Sequence, residues 1–199
     1  MTATTRIDIP STLAALPSFP RLQGKRVQLR GPRAEDADAV FALFADPDVM
    51  RYWSRPPMTT RGEAEGLIAE IQDAFEQRAM LNWVVTGRSD DRVIGTCTLF
   101  RIEPRHRRAE IGYALHRDHW GHGLAAEAVA LSLDWAFRTL ALHRVEADID
   151  PRNDGSRKLL QRLGFASEGL LRQRYFVGDA ISDTELFGLL AQDWSSRQD

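Results

Sequence analysis

The feature that most constrains this chain is a short glycine turn, Gly121-His122-Gly123, set between a strand-like stretch ending near Leu115 and a long apolar stretch from about Leu124 to Leu140. Two glycines let the backbone turn tightly with no Cβ in the way. The first N–H groups of a helix have no partner within it, so in a helix starting at Leu124 they would point into the turn. Together with the helix dipole they form a place for a phosphate or pyrophosphate. A bare G-x-G is also compatible with a plain strand-to-helix turn, and it is the flanking strand and helix that favour an anion site.

The rest of the chain supplies the frame. KRVQLR (25–30) alternates polar and apolar residues and predicts a strand. Ala37, Val40, Phe41 and Phe44 recur at helical spacing over 34–45, and Asp46-Pro47 stops that helix, leaving DPDVMRYWSRPP as a loop. Thr60 and Glu63 form a capping box before a helix reaching about Ala79. LNWVVTG, RVIGTCTLF and RAEIGYALH then predict three strands in an antiparallel meander. After the long helix come a strand at HRVEADID, a helix from about Asp154 to Leu163 stopped by Gly164, and strands at about Phe165 to Tyr175 and Ile181 to Leu190. The order β-α-α-β-β-β-α-β-α-β-β predicts an α/β (α+β) fold with a mixed sheet and helices on both faces. A length of 199 residues suits one domain. We expect it over 21–194, with 1–20 (Pro10, Pro17, Pro20) as a flexible N-terminal tail and 195–199 as a C-terminal tail.

Charge and cysteine usage narrow the function. A net charge of -2 gives no global reason to bind nucleic acid, although Arg101, Arg105, Arg107 and Arg108 form a local cationic edge expected to meet cofactor phosphates or an acidic partner. The single cysteine, Cys97, cannot form an internal disulfide, and beside Ile94 and Leu99 it reads as a small buried residue. The five histidines are not at metal-ligand spacing, so no metal is expected. No apolar run has signal-peptide or membrane-span length. These points predict a cytoplasmic protein with no direct nucleic-acid or membrane partner.

Two cofactors compete for the glycine turn. Gly121 to Ala126 fits the dinucleotide fingerprint G-x-G-x-x-A, and Asp148 and Asp150 lie near the offset of a ribose-binding carboxylate, which would make the chain an NAD(P)-type oxidoreductase. A Rossmann domain needs several parallel βαβ units, however, and here a meander precedes the turn. The other candidate is a CoA-type pyrophosphate. Trp120-Gly121-His122-Gly123-Leu124-Ala125 resembles motif A of the GCN5-related N-acetyltransferases (GNAT), whose pattern is Gln/Arg-x-x-Gly-x-Gly/Ala. Trp120 departs from the Gln/Arg, but the phosphate contact in that family is largely made by backbone. WGxGLAxEA resembles the family's RimJ/RimL-like branch of ribosomal-protein-alanine N-acetyltransferases. GKRVQLRGPRAEDADAVFALFADPDVMRYW, AEIGYALH and DPRNDGSRKLLQRLGFASEGLLR follow that branch in order, so the resemblance covers about residues 22 to 192.

The resemblance implies a mostly antiparallel seven-stranded sheet and transfer of acetyl from acetyl-CoA to a primary amine. The acceptor would be a protein N-terminal α-amine or a small-molecule amine. Transfer needs a neutral amine, a stabilised tetrahedral oxyanion and a proton for the leaving thiolate. Glu110 alternates with Ile111, Tyr113 and Leu115 and so faces the other side of its strand, where the resemblance puts a carboxylate that takes the amine's proton through water. It would also touch the acceptor, or be a solvated strand glutamate. A backbone N–H near Ala114, Leu115 and His116 would meet the oxyanion. Trp120, Gly121, His122, Gly123, Leu124 and Ala125 would hold the pyrophosphate. Asn153 would contact the pantetheine arm, with Ser156 near the thiolate as proton donor; both residues also read as helix caps. Arg157 and Lys158 would meet phosphates or stand as exposed charges. Tyr175 is a second thiolate-proton candidate or a packing aromatic. Tyr52 and Trp53 would line the acceptor pocket or anchor their loop. A non-catalytic acyl-CoA-binding module fits the same residues without the Glu110 role, and under either reading the chain would be a monomer or a homodimer.

Overall fold

The computed structural model describes residues 8–196. Its strands are β1 (Leu22–Gln23), β2 (Val27–Arg30), β3 (Leu81–Gly87), β4 (Val93–Glu103), β5 (Arg108–Leu115), β6 (Arg144–Ile149), β7 (Ala166–Val177) and β8 (Ala180–Leu190). They form one sheet in the order β1-β2-β3-β4-β5-β6-β8-β7, antiparallel throughout except for β5 against β6. The helices are α1 (Ile9–Ala14), α2 (Ala37–Ala45), α3 (Pro47–Met50), α4 (Arg61–Glu76), α5 (Leu124–Arg138), α6 (Asp154–Leu163) and α7 (Ala191–Ser195).

The sheet divides the interior in two. On one face Leu29, Trp83, Leu99, Ile111, Val145 and Leu189 pack with Val129, Leu133 and Ala136 of α5 and Leu160 of α6. Trp83 meets Trp135 edge-on at 5.7 Å, and its indole N–H donates to the Pro20 carbonyl at 2.8 Å, so its polar edge is satisfied inside the core. On the other face Val84, Val93 and Ala114 pack under Val40, Phe44, Val49, Met50 and Ile68 from α2, α3 and α4. The Thr60–Glu63 capping box starts α4 as its sequence predicts. Cys97 is fully buried, and burial pushes its thiol up to about 12, which makes it a packing residue.

Several expectations need correction. The sheet has eight strands, not seven, because Leu22–Gln23 pairs with β2 over two residues, too few to show an alternating pattern. Part of the expected N-terminal tail is a helix: Asp8 caps α1 by accepting the Ser11 N–H at 3.1 Å, Pro10 stands in the first turn, and Ile9 and Leu13 are buried in the main core. A proline in a first helical turn lacks only an N–H that would have no intrahelical partner, so it starts a helix as readily as it marks a linker. Residues 1–7 and 197–199 of the two expected tails lie outside the described residues. Within the expected loop after Asp46, Pro47–Met50 forms α3, capped by Asp46, which accepts the Asp48 N–H at 2.9 Å.

Candidate active site

The site begins where the only parallel strand pair among the described residues comes apart. β5 and β6 are in register at Arg108↔Arg144, Ala109↔Val145 and Glu110↔Glu146, and beyond Glu110 the two strands are no longer paired. Which backbone groups face the opening follows from the pairing with β4. His116 N–H donates to the Ile94 carbonyl at 2.8 Å, continuing the register in which Leu115 lies opposite Gly95. Residues alternate along a strand, so Gly112, Ala114 and His116 direct their N–H groups at β4, whereas Tyr113 and Leu115, beyond the last position paired with β6, direct theirs into the opening. The Leu115 carbonyl points the same way, accepting the Trp120 indole N–H at 2.7 Å. Within the expected stretch of backbone donors, the N–H of Leu115 faces the gap, whereas those of Ala114 and His116 are turned toward β4.

The glycine turn lies directly above. Gly121 and Gly123 have φ of +79° and +72°, the left-handed region that favours glycine, and Gly123 is the N-cap of α5. No side chain caps this helix, so the N–H groups of Leu124, Ala125 and Ala126 are left toward the turn. The turn is braced from outside. Arg26 donates to the His122 carbonyl at 2.8 Å and pairs with Glu127 at 2.8 Å, while Glu127 also accepts the Arg26 N–H at 2.7 Å. Arg26 was missed in the sequence because it lies about a hundred residues away and has no local signal.

Opening and turn share one cavity of about 710 Å³. Of the residues singled out from sequence, it brings together Tyr52, Trp53, Ala114, Leu115, Trp120, Gly121, Gly123, Leu124, Ala125, Asn153 and Ser156. Asn153 Oδ1 accepts the Ser156 N–H at 3.0 Å, so the capping role is real and Asn153 is held on the cavity wall by it. The cavity also reaches Tyr113, Lys158 and Arg162. Tyr113 donates to the Ser156 carbonyl at 3.5 Å, and burial pushes its phenol well above the usual tyrosine range. Lys158 and Arg162 are one helical turn apart, a spacing that puts both on one face of α6.

Other singled-out residues lie off the cavity wall. Arg157 pairs with Glu185 of β8 at 2.8 Å and donates to the Pro151 carbonyl, so it braces α6 against the sheet instead of lining the cavity. His122 is exposed and contributes its carbonyl to Arg26; the His116 ring accepts the Asp118 N–H at 3.4 Å. Glu110 projects from the face of β5 opposite α5, where both its carboxylate oxygens accept from Arg101 at 3.0 Å. Tyr175 donates to Asp148 at 2.7 Å, and burial first, then this bond, raises its phenol above the ordinary value. The cationic edge is also resolved. Arg107 donates to the Ala141 carbonyl, Arg108 pairs with Glu103 and Glu146, and Arg101 holds Glu110; apart from Arg105, that edge is engaged locally at the end of β5 away from the glycine turn.

A parted parallel strand pair beside an uncapped helix start, with basic side chains on the adjoining helix, is suited to a ligand with phosphates at one end and an extended arm at the other. Comparison with known proteins specifies the class. The family profile described as an acetyltransferase (GNAT) domain matches residues 26–166, and the chain belongs to this family. It is an acetyl-CoA-dependent N-acetyltransferase. It is 37% identical over 174 residues to the uncharacterised N-acetyltransferase p20 of Bacillus licheniformis, covering 87% of this chain and 98% of the relative. It is 31% identical to spermidine N(1)-acetyltransferase of Escherichia coli over 76% of this chain and 78% of that one. RimJ of Mycobacterium smegmatis, solved in complex with CoA-disulfide, superposes with a TM-score of 0.74 at 26% identity over 87% of each chain. A dinucleotide fold is not favoured: among the described residues β5 and β6 are the only parallel neighbours, where a Rossmann domain would stack several. Among the described residues no group of His, Cys, Asp and Glu is placed to hold a metal, and no helix is long and apolar enough to cross a membrane.

Proposed function

We propose that the acceptor is a protein N-terminal α-amine, with a small-molecule amine as the second choice. The observation that carries this is one continuous cavity from the uncapped start of α5, through the β5 opening, to Tyr52 and Trp53. Acetyl-CoA supplies the activated acyl group as a thioester. The α5 N–H groups, with Lys158 and Arg162, hold its phosphates, and Asn153 and Ser156 flank its arm. The N–H groups of Tyr113 and Leu115 stand where negative charge develops at the acyl oxygen, and preorganised donors of this kind are worth about 2.7 to 4 kcal/mol each in other enzymes.

Glu110 sits at the foot of the opening, as the last β5 residue paired with β6, and receives the amine's proton through water. Proton transfer through water to a carboxylate suits an α-amine with a reference pKa of about 7.7 to 8.0 better than a lysine near 10.4. Ser156, on the cavity wall, returns a proton to the thiolate. Tyr175, held to Asp148, belongs to the polar cluster beside Glu110.

The test is an acceptor screen with CoA release as readout, with thermal shift by acetyl-CoA and by NAD(P) run alongside. Release of CoA with N-terminal peptides, and a roughly hundredfold loss of turnover in Glu110→Gln with the acetyl-CoA shift retained, is the expected result. A shift without turnover on any amine would make the chain an acyl-CoA-binding module.

A further inference from the structure

The charges at the acceptor end of the cavity are unevenly matched. The segment carrying Arg51, Tyr52 and Trp53 follows α3, whose Val49 and Met50 pack on the sheet face opposite α5. Glu110 and Asp148 project toward that same face. Two guanidinium groups flank one ring there: Arg51 lies 5.4 Å from the Tyr52 centroid and Arg152 lies 6.0 Å from it. Arg51, Tyr52 and Arg152 all line the cavity.

Most of the nearby carboxylates already have partners, Asp154 on the cavity wall being the exception among the described residues. Glu110 is held by Arg101. Asp148 accepts from Tyr175 at 2.7 Å and lies 3.9 Å from Arg174. Asp150 takes two contacts from Arg152, at 2.9 and 2.6 Å. Asp48 lies 3.4 Å from Arg117, and Asp183 accepts the Gln173 N–H at 2.8 Å. Arg51 differs: among the described residues no carboxylate lies within ion-pair distance of it, and its guanidinium lies over the Tyr52 ring.

A polycationic acceptor needs carboxylates that are not already bound to guanidinium groups, and of the two carboxylates on the cavity wall Asp48 lies beside Arg117, which leaves Asp154 at the start of α6 alone. An acceptor carrying its own carboxylate would instead complete Arg51, whose planar fork matches a carboxylate with two parallel hydrogen bonds. Tyr52 and Trp53 provide apolar surface beside it. We infer that this chain selects primary amines with a carboxylate close to the amine, and that among protein N-termini it selects those with acidic residues directly after the first. Arg51 is the residue that makes the choice. The inference rests on the α-amine acceptor proposed above and deepens it.

The test uses the full chain, acetyl-CoA and three acceptors: a peptide beginning Ala-Glu-Glu, its Ala-Lys-Lys counterpart, and spermidine, with kcat/KM read from CoA release. The acidic peptide should be favoured at least tenfold over the other two. Arg51→Gln should bring the two peptides within about threefold, and Arg51→Glu should reverse their order, both with the acetyl-CoA thermal shift unchanged. Arg51 is exposed, so neither substitution disturbs the core. Equal or better use of the basic peptide or spermidine by the unmodified chain overturns the inference and leaves the transferase reading intact. A preference that survives Arg51→Gln overturns the role of Arg51. If no amine releases CoA, the proposed function fails and the inference with it.

Discussion

The indole N–H of Trp120 donates to the carbonyl of Leu115 at 2.7 Å, and this bond ties the glycine turn to the last residue of the strand that opens the sheet. Trp120 stands where the family pattern has a Gln or Arg, and the residue is 47% exposed. Its contribution is therefore to fix the relative position of two parts of one site, more than to fill a core.

Trp120→Phe keeps the ring and removes the donor. A neutral hydrogen bond of this kind contributes about 1 kcal/mol. The acetyl-CoA Kd measured by titration calorimetry should rise about fivefold, with little change in the urea midpoint because the residue is half-exposed.

Gly123→Ala tests the turn itself. At φ +72° a Cβ meets nothing closer than Arg26 Nη2 at 3.6 Å, so the cost is conformational, about 1 to 2 kcal/mol for a left-handed residue. Acetyl-CoA affinity should fall along with stability. Gly164, with φ +95° after α6, is the control: Gly164→Ala should lower the urea midpoint similarly and leave affinity within twofold.

Arg157 and Lys158 are adjacent in sequence and should separate cleanly. Lys158→Gln removes a charge from the cavity wall, so it should weaken acetyl-CoA binding several-fold and reduce the dependence of Kd on salt. Arg157→Gln should lower stability by breaking the pair with Glu185, with Kd within twofold of the unmodified chain.

Acid should destabilise the fold through identifiable carboxylates. The hydrogen bond from Arg144 holds Glu168 below its ordinary value, and the hydrogen bond from Arg152 does the same for Asp150. A depressed folded-state value means that the stabilisation is complete above the unfolded-state pKa, about 4, and is lost as pH falls through the lower folded value. The urea midpoint should be level from pH 7 to 5 and fall between pH 4 and 3. Glu168→Gln should flatten part of that fall.

Local chemistry made much of this protein legible in its sequence. The 3.6-residue recurrence of Val40 and Phe44 set α2, the Thr60–Glu63 box set the start of α4, and Gly164 set the end of α6. The glycine turn and the uncapped start of α5 were legible as well, because positive φ and a helix start are properties of a few consecutive residues. Short elements were not legible: two residues of β1 cannot display a period, and a proline at the head of α1 resembles a linker until Ile9 and Leu13 are seen in the core.

Only the tertiary structure decided which neighbours share the site. Sequence placed Arg157 and Lys158 alike, but the rotation of α6 against β8 turns one to Glu185 and the other to the cavity. It placed Ala114, Leu115 and His116 alike, but the register of β4 against β5 directs only Leu115 toward the opening. Arg26 reaches the glycine turn across the fold. A residue's own chemistry is written in the chain, whereas the direction it faces depends on the packing of elements distant in sequence.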